Sequence, residues 1–264
     1  MQLKNIMQTA FVVALGIVVM AGCETSKDIV APWDMAGSES KLAHLRIIHA
    51  SPNFRIVTGQ ADSIHVFANG VKMNGVRMSY GGAAPATNPA SYVTLPAGMV
   101  DLKVSVGGFT TLDSIPITTL KIDMKAGEFY SFIITDSLLN ASKDSSRILV
   151  RDSFPTPNTG SIGLRFVQAL ADTAADKRID VYSARRNNNI YTNVLPGTVT
   201  SFSNQPFINF SDTLIIRRSG TTTELARINN VIFTNTRVYT LFLRGNAGVA
   251  TGSKSRSLTF YVNR

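Results

Sequence analysis

Two arginine pairs are the side chains best suited by type and spacing to hold a ligand. Arg185-Arg186-Asn187-Asn188-Asn189 sets two guanidinium groups beside three amides, and Arg217-Arg218-Ser219-Gly220 closes an apolar run. Planar guanidinium forks flanked by amides suit sulfate, phosphate or carboxylate groups on a glycan, and a solvated basic loop that binds nothing specific accounts for the same residues. Tyr80 and Tyr92 flank Gly81-Gly82-Ala83-Ala84-Pro85 and could stack on a sugar ring, but core or strand-edge packing is the better account of them. The three histidines, His44, His49 and His65, make a metal site geometrically conceivable. His44 and His49 are five apart, which puts them on opposite faces of a regular strand, so no metal and no cofactor are expected.

Signatures of catalysis are weak. His49 or His65 could join one of many serines in a triad, but no Gly-x-Ser-x-Gly turn accompanies them. Gly248-Val249-Ala250-Thr251-Gly252-Ser253-Lys254-Ser255 has the wrong spacing for a phosphate loop and no helical pattern after it, so it reads as a hairpin loop. Asp-Ser recurs at Asp62-Ser63, Asp113-Ser114, Asp136-Ser137, Asp144-Ser145 and Asp152-Ser153, dispersed as turn chemistry rather than gathered as a calcium loop. The chain is therefore expected not to be an enzyme; the rival is a hydrolase or metal-dependent enzyme with its site in the first half.

Cys23 is the single cysteine among 264 residues. Lys4 provides a positive start, and Ala10 through Met20 form an apolar run of secretory-signal length, too short to span a bilayer comfortably. Met20-Ala21-Gly22-Cys23 resembles the lipobox of bacterial lipoproteins, with Met20 where that pattern usually has leucine. The resemblance implies a signal peptide over residues 1–22, cleavage before Cys23, diacylation of its sulfur and acylation of the new amino terminus. Each buried methylene contributes about 0.8 kcal/mol and two chains already anchor stably, so the membrane is an expected partner. Without a second cysteine no intrachain disulfide can form. Residues 23–41, with Pro32, Gly37 and three serines, read as a flexible tether whose Trp33 docks on the first domain.

The composition, 44% hydrophobic and 16% charged, suits an exported sheet-rich chain. The net charge of +9 is unevenly spread: residues 161–264 carry thirteen basic and five acidic groups. Outside the cytoplasm such a surface meets anionic glycans, lipopolysaccharide phosphates or head groups, so no nucleic-acid partner is expected.

From residue 42 the apolar period is two. Val100, Leu102, Val104 and Val106 alternate with Asp101, Lys103 and Ser105, and strands are predicted near 44–50, 63–68, 71–74, 91–95, 99–106, 117–124, 129–135 and 147–151. Asn69-Gly70 is the clearest hairpin turn. Leu45-Arg46-Ile47-Ile48-His49-Ala50 returns as Leu164-Arg165-Phe166-Val167-Gln168-Ala169, Ile64-His65-Val66-Phe67 as Ile179-Asp180-Val181-Tyr182, and Tyr130-Ser131-Phe132-Ile133-Ile134 as Tyr239-Thr240-Leu241-Phe242-Leu243. Two tandem units are expected, 42–152 and 161–264, joined by a proline-stiffened linker over 153–160; such units look like antiparallel sandwiches.

Leu45 through Asn53, Ile64 through Gly70, Tyr92 through Gly98 and Lys125 through Tyr130 together resemble the domain of unknown function 4397. The resemblance covers most of residues 42–152, with 161–264 a weaker second version in which Gln168 replaces His49. It implies an immunoglobulin-like sandwich in an exported or envelope protein and supplies no catalytic residue. The sequence thus predicts an all-β chain of two tandem immunoglobulin-like antiparallel β-sandwiches behind a signal peptide and tether. Its expected role is a non-enzymatic binding, adhesion or scaffold module, lipid-anchored in the envelope, at the outer membrane. A glycan or anionic-polysaccharide receptor working through the basic second unit is the main variant, and an envelope protein is the other expected partner.

Overall fold

A computed structural model describes residues 41–55, 62–85, 91–107, 116–135 and 147–263; the signal, Cys23, the tether and Trp33 lie outside these residues. Among the described residues the chain forms β1 (Leu42–His49), β2 (Ser63–Ala68), β3 (Val71–Lys72), β4 (Met78–Ser79), β5 (Ala83–Ala84), β6 (Val93–Pro96), β7 (Gly98–Val106), β8 (Pro116–Met124), β9 (Phe129–Ile134) and β10 (Arg147–Arg151). The series continues with β11 (Ser161–Ala171), β12 (Ile179–Ser183), β13 (Asn188–Val194), β14 (Ser203–Pro206), β15 (Asp212–Arg218), β16 (Glu224–Val231), β17 (Val238–Asn246) and β18 (Ser257–Val262). The predicted strands all form; β4 and β5, two residues each, are too short to leave a periodic signal.

The strands make four sheets. In the first half β10-β9-β1-β5 form one sheet, with β6 also on β1, and β3-β2-β7-β8 form the other, with β4 on β2. In the second half the sheets are β14-β11-β17-β18 and β13-β12-β15-β16. The fold is all-β and built from sandwiches, as the period of two requires. Each half departs from a purely antiparallel plan at one ladder: β1 runs parallel to β9, and β11 parallel to β17. Parallel neighbours need a long crossover, and the strands of the facing sheet provide it.

Both parallel ladders have the same register. Leu45 lies opposite Tyr130 and Arg46 opposite Ser131; Leu164 lies opposite Tyr239 and Arg165 opposite Thr240. Alternate residues therefore leave each ladder in opposite directions. On one face Ile162, Leu164 and Phe166 meet Val181, Leu214 and Ile216 in the core of the second sandwich. On the other, Ile48, Ala50 and Ile133 meet Val167, Ala169 and Phe242, so the β1 and β11 sheets pack back to back. Burial on both faces explains why the apolar residues of β1 and β11 do not keep to strict alternation.

The seam between these sheets is closed by a buried ion pair. Arg165, 1% exposed at its side chain, places Nη1 2.6 Å from Oδ1 of Asp152, whose side chain is fully buried. Its Nε donates to Thr240 Oγ1 at 2.9 Å, and its guanidinium carbon stands 4.5 Å from the centre of the Phe202 ring. The other Asp152 oxygen accepts hydrogen bonds from Ser131 and Tyr92, at 2.7 and 2.8 Å. Residues 153–160 lie against this seam: the Phe154 ring contacts Phe129, Tyr92 and Phe202. Gly163 makes room for the same segment, since a Cβ there would lie 2.8 Å from the Pro155 side chain.

Removing one member of a buried pair leaves the other charge uncompensated, which costs about 3–5 kcal/mol. Asp152→Ala should lower unfolding free energy by about that amount in urea titration, while an Asp152→Leu/Arg165→Met double variant should lose much less.

Candidate functional site: a cleft at the seam

Arg46 on β1 occupies the place that Arg165 occupies on β11, and each points into the seam beside a groove. The groove beside Arg165 has a volume of about 470 Å³ and is walled by Val150, Arg151, Phe154, Val199 and Phe202. The cleft beside Arg46 has a volume of about 290 Å³ and is walled by Ile48, Ala83, Phe242, Arg244 and Tyr261. The two sites differ in charge balance. Asp152 follows β10 and donates its backbone N–H to the Phe129 carbonyl; Asn263 follows β18 and donates its own to the Val238 carbonyl. An aspartate stands at the first position and an amide at the second. Asn263 keeps the hydrogen bonds, accepting from Thr240 at 2.6 Å and donating to the Tyr92 hydroxyl at 3.1 Å, but supplies no negative charge.

Arg46 is consequently a buried cation, 4% exposed, with no carboxylate beside it among the described residues. Its Nε and Nη2 donate to the Ser91 carbonyl at 3.1 and 2.9 Å, and Nη1 makes a long 3.5 Å contact with the Val262 carbonyl. The guanidinium lies between two rings, its carbon 4.6 Å from the centres of both Tyr92 and Tyr261. Ring faces carry partial negative charge and stabilise a desolvated cation, though without neutralising it. Arg244, from β17, approaches from the opposite wall over Gly81. Its Nε is buried without a hydrogen-bond partner, and its guanidinium carbon lies 5.6 Å from the centre of the Tyr80 ring. The Tyr261 hydroxyl is likewise buried and unpartnered. Two guanidinium groups with no carboxylate between them and an apolar floor make an arrangement that can take an anion.

The sequence-predicted arginines sit elsewhere and do not converge. Arg185 and Arg186 lie in the β12–β13 turn, beside Asp212 at the start of β15, whereas Arg217 and Arg218 end that strand about 16 Å away at about 3.3 Å per residue. Arg186 is bonded to the chain itself, donating to Gln205 Oε1 at 2.8 Å and the Pro206 carbonyl at 2.6 Å. Arg218 is paired with Asp172 at 2.7 Å. Arg185 and Arg217 lie over the rings of Phe210 and Tyr182, at 5.0 and 3.6 Å. Of the two tyrosines singled out for stacking, Tyr92 is held in the seam by Asp152 and Arg46, and burial pushes its phenol well above the ordinary range; Tyr80 borders the cleft.

Arg46 and Arg244 were not among those candidates. Their signal was present as a charged residue inside an apolar strand, which is buried and paired more often than exposed.

The histidines are dispersed. His44 stacks on Phe129 with ring centres 4.3 Å apart, and His65 lies in β2 of the facing sheet. Among the described residues no group of three His, Cys, Asp or Glu side chains is placed to hold a metal. His49 ends β1 close to the cleft, fully buried, edge-on to Phe54 and Tyr80, with both ring nitrogens unpartnered. Burial lowers its pKa to about 4, with Asp62 opposing the shift and Lys254 adding to it. Lys254 and Asp62 themselves pair across the seam at 2.6 Å.

The family model of a domain of unknown function, DUF4397, matches residues 43–175. The chain belongs to the DUF4397 family. The match begins in β1 and runs through residues 153–160 and all of β11, so it includes both seam arginines, Arg46 and Arg165. No curated protein matches this DUF4397 chain. Among solved structures it is similar to a family 26 carbohydrate-binding module of Eubacterium rectale Amy13K, solved with maltoheptaose, at 12% identity, TM-score 0.22, covering 83% of this chain and 96% of that one. A streptococcal family 41 carbohydrate-binding module shows 11% identity and TM-score 0.23, covering 76% and 92%. A DUF1812 protein of Bacteroides thetaiotaomicron shows 11% identity and TM-score 0.24, covering 84% and 96%. At such scores neither fold nor ligand is carried across.

His49 gives the seam an acid sensitivity of defined sign. Its folded pKa of about 4 lies below the ordinary 6.5, so between these values the unfolded chain binds the extra proton and stability falls as pH falls. The contribution is complete above pH 6.5, and about 3 kcal/mol should be gone by pH 4 at 1.36 kcal/mol per pH unit. His49→Gln, which installs the residue found at Gln168, should flatten the pH profile of urea midpoints across that window.

Proposed function

We propose that this DUF4397 protein is a non-enzymatic binding module of the bacterial envelope, held to the membrane by acylated Cys23 and carrying its ligand site in the seam cleft. The observation that supports the reading best is the contrast between two similarly placed buried arginines. Arg165 pairs with Asp152, while Arg46, with Arg244 facing it, makes no ion pair among the described residues. A buried cation left without a protein carboxylate costs several kcal/mol, and an external anion would offset that cost. We also infer that the two halves are duplicated units, the first from 42 to 152 and the second from 161 to 264, which diverged at the position now filled by Asp152 in one and Asn263 in the other. The matching registers of the β1–β9 and β11–β17 ladders support this.

An anionic-polysaccharide receptor working through Arg185, Arg186, Arg217 and Arg218 is the second reading, supported by the +8 balance of residues 161–264. The bonds that Arg186 and Arg218 already make to their own chain favour the cleft instead.

Two experiments separate these readings. Binding of the full-length protein to anionic envelope polymer extracts should fall tenfold or more in Arg244→Gln and stay unchanged in Arg185→Ala/Arg186→Ala; the reverse pattern would move the site to the second half. Cys23→Ser should leave the membrane fraction and lose the acyl mass on intact-protein mass spectrometry, and retention without lipid would contradict anchoring at Cys23.

A further inference from the structure

The lining of the seam cleft says more about the anion than its charge. We infer that the cleft takes a carboxylate borne on a compact apolar body, rather than a sugar acid, a phosphate or a sulfate; this rests on the reading of the cleft as an anion site.

The donors come first. Arg46 has committed Nε and one hydrogen of Nη2 to Ser91, so Nη1, with its long contact to Val262, is its least committed nitrogen. Arg244 is the better ligand group, because its buried Nε has no hydrogen-bond partner among the described residues. Nε and a terminal nitrogen of one guanidinium form the planar two-donor edge that matches the two oxygens of a carboxylate. The buried Tyr261 hydroxyl can donate a further hydrogen bond. Three sources of donors in such an arrangement satisfy a planar monoanion and leave a tetrahedral dianion short of partners.

The body comes second. Apart from Arg46, Arg244, Thr259 and Tyr261, the cleft is walled by apolar side chains, with Ile48, Phe242 and Val262 facing Ala83 and Pro85. Each ring hydroxyl of a sugar acid would need a partner here, and burying a hydroxyl without one is unfavourable. Methylene or aromatic carbon on the same walls is favoured, because it loses apolar contact with water. A volume of about 290 Å³ accommodates one ring or a short branched chain. Both a free aryl or alkyl acid and the C-terminal carboxylate of a peptide with an apolar last residue have this chemistry.

The inference is tested by calorimetry on the full chain in nanodiscs, with empty nanodiscs subtracted, against phenylacetate, N-acetyl-leucine, glucuronate, inorganic phosphate and neutral phenylacetamide. Phenylacetate or N-acetyl-leucine should bind at least tenfold more tightly than glucuronate, phosphate or the amide, and that binding should weaken at least tenfold in Arg244→Gln and by a smaller factor in Arg244→Lys. N-acetyl-leucine ahead of phenylacetate marks a peptide terminus as the source, and the opposite order marks a free acid. Glucuronate or phosphate binding as tightly as the apolar acids, and lost in Arg244→Gln, would overturn the inference while leaving an anion site in place. No anion binding, or binding indifferent to both Arg244 variants, would overturn the anion site as well. Circular dichroism of each variant against the parent chain keeps loss of fold apart from loss of binding.

Discussion

The ion pair between Arg165 and Asp152 is the contact on which the arrangement of the molecule turns. It joins a residue of β11 to one at the end of β10, so it ties the two sandwiches together where their inner sheets meet. Charges this deeply buried stabilise little by themselves, because desolvation cancels most of their attraction. Their larger effect is on geometry. A guanidinium that must meet Asp152 and Thr240 at the same time, beneath the Phe202 ring, fixes how one sheet lies on the other. The apolar contacts of Ile48, Ile133, Val167 and Phe242 fill the rest of the seam but allow more than one alignment.

That constraint also defines the cleft. With the seam held at Arg165, the other side brings Arg46 into the same kind of setting without a carboxylate, and the end of β17 adds Arg244. Gly245 helps to place it: at φ +114 and with no room for a Cβ beside Ser255, the chain turns where other residues would be strained. The ion pair is thus structural on one side of the seam, and its missing counterpart on the other creates a demand for an external anion.

Much of the fold was legible in the sequence because strands announce themselves by a period of two. Val100, Leu102 and Val104 are buried and alternate with Asp101 and Lys103 as expected, until an irregularity after Val104 buries Ser105 and leaves Val106 partly exposed, and Asn69 and Gly70 both adopt positive φ in the hairpin where such residues were needed. The parallel ladders were not legible, since pairing direction depends on where the chain returns and not on local pattern. The candidate site was legible only as residue types. Arg185 stands in a polar loop and Arg217 in a basic pair at the end of an apolar strand, whereas Arg46 lies inside an apolar strand as one member of a repeated motif.

By itself the sequence determined an all-β chain, most strand positions and a lone cysteine behind an apolar run, all of which are written in neighbouring residues. Tertiary structure alone decided that the β1 and β11 sheets pack together, that Arg165 meets Asp152 and that Arg46 meets no acid among the described residues. Those outcomes depend on residues far apart in the chain, such as Arg46 and Val262 or Asp62 and Lys254, brought together by packing rather than by any local preference. A charge is neutralised or left open by what lies across the seam, and nothing adjacent in sequence records which.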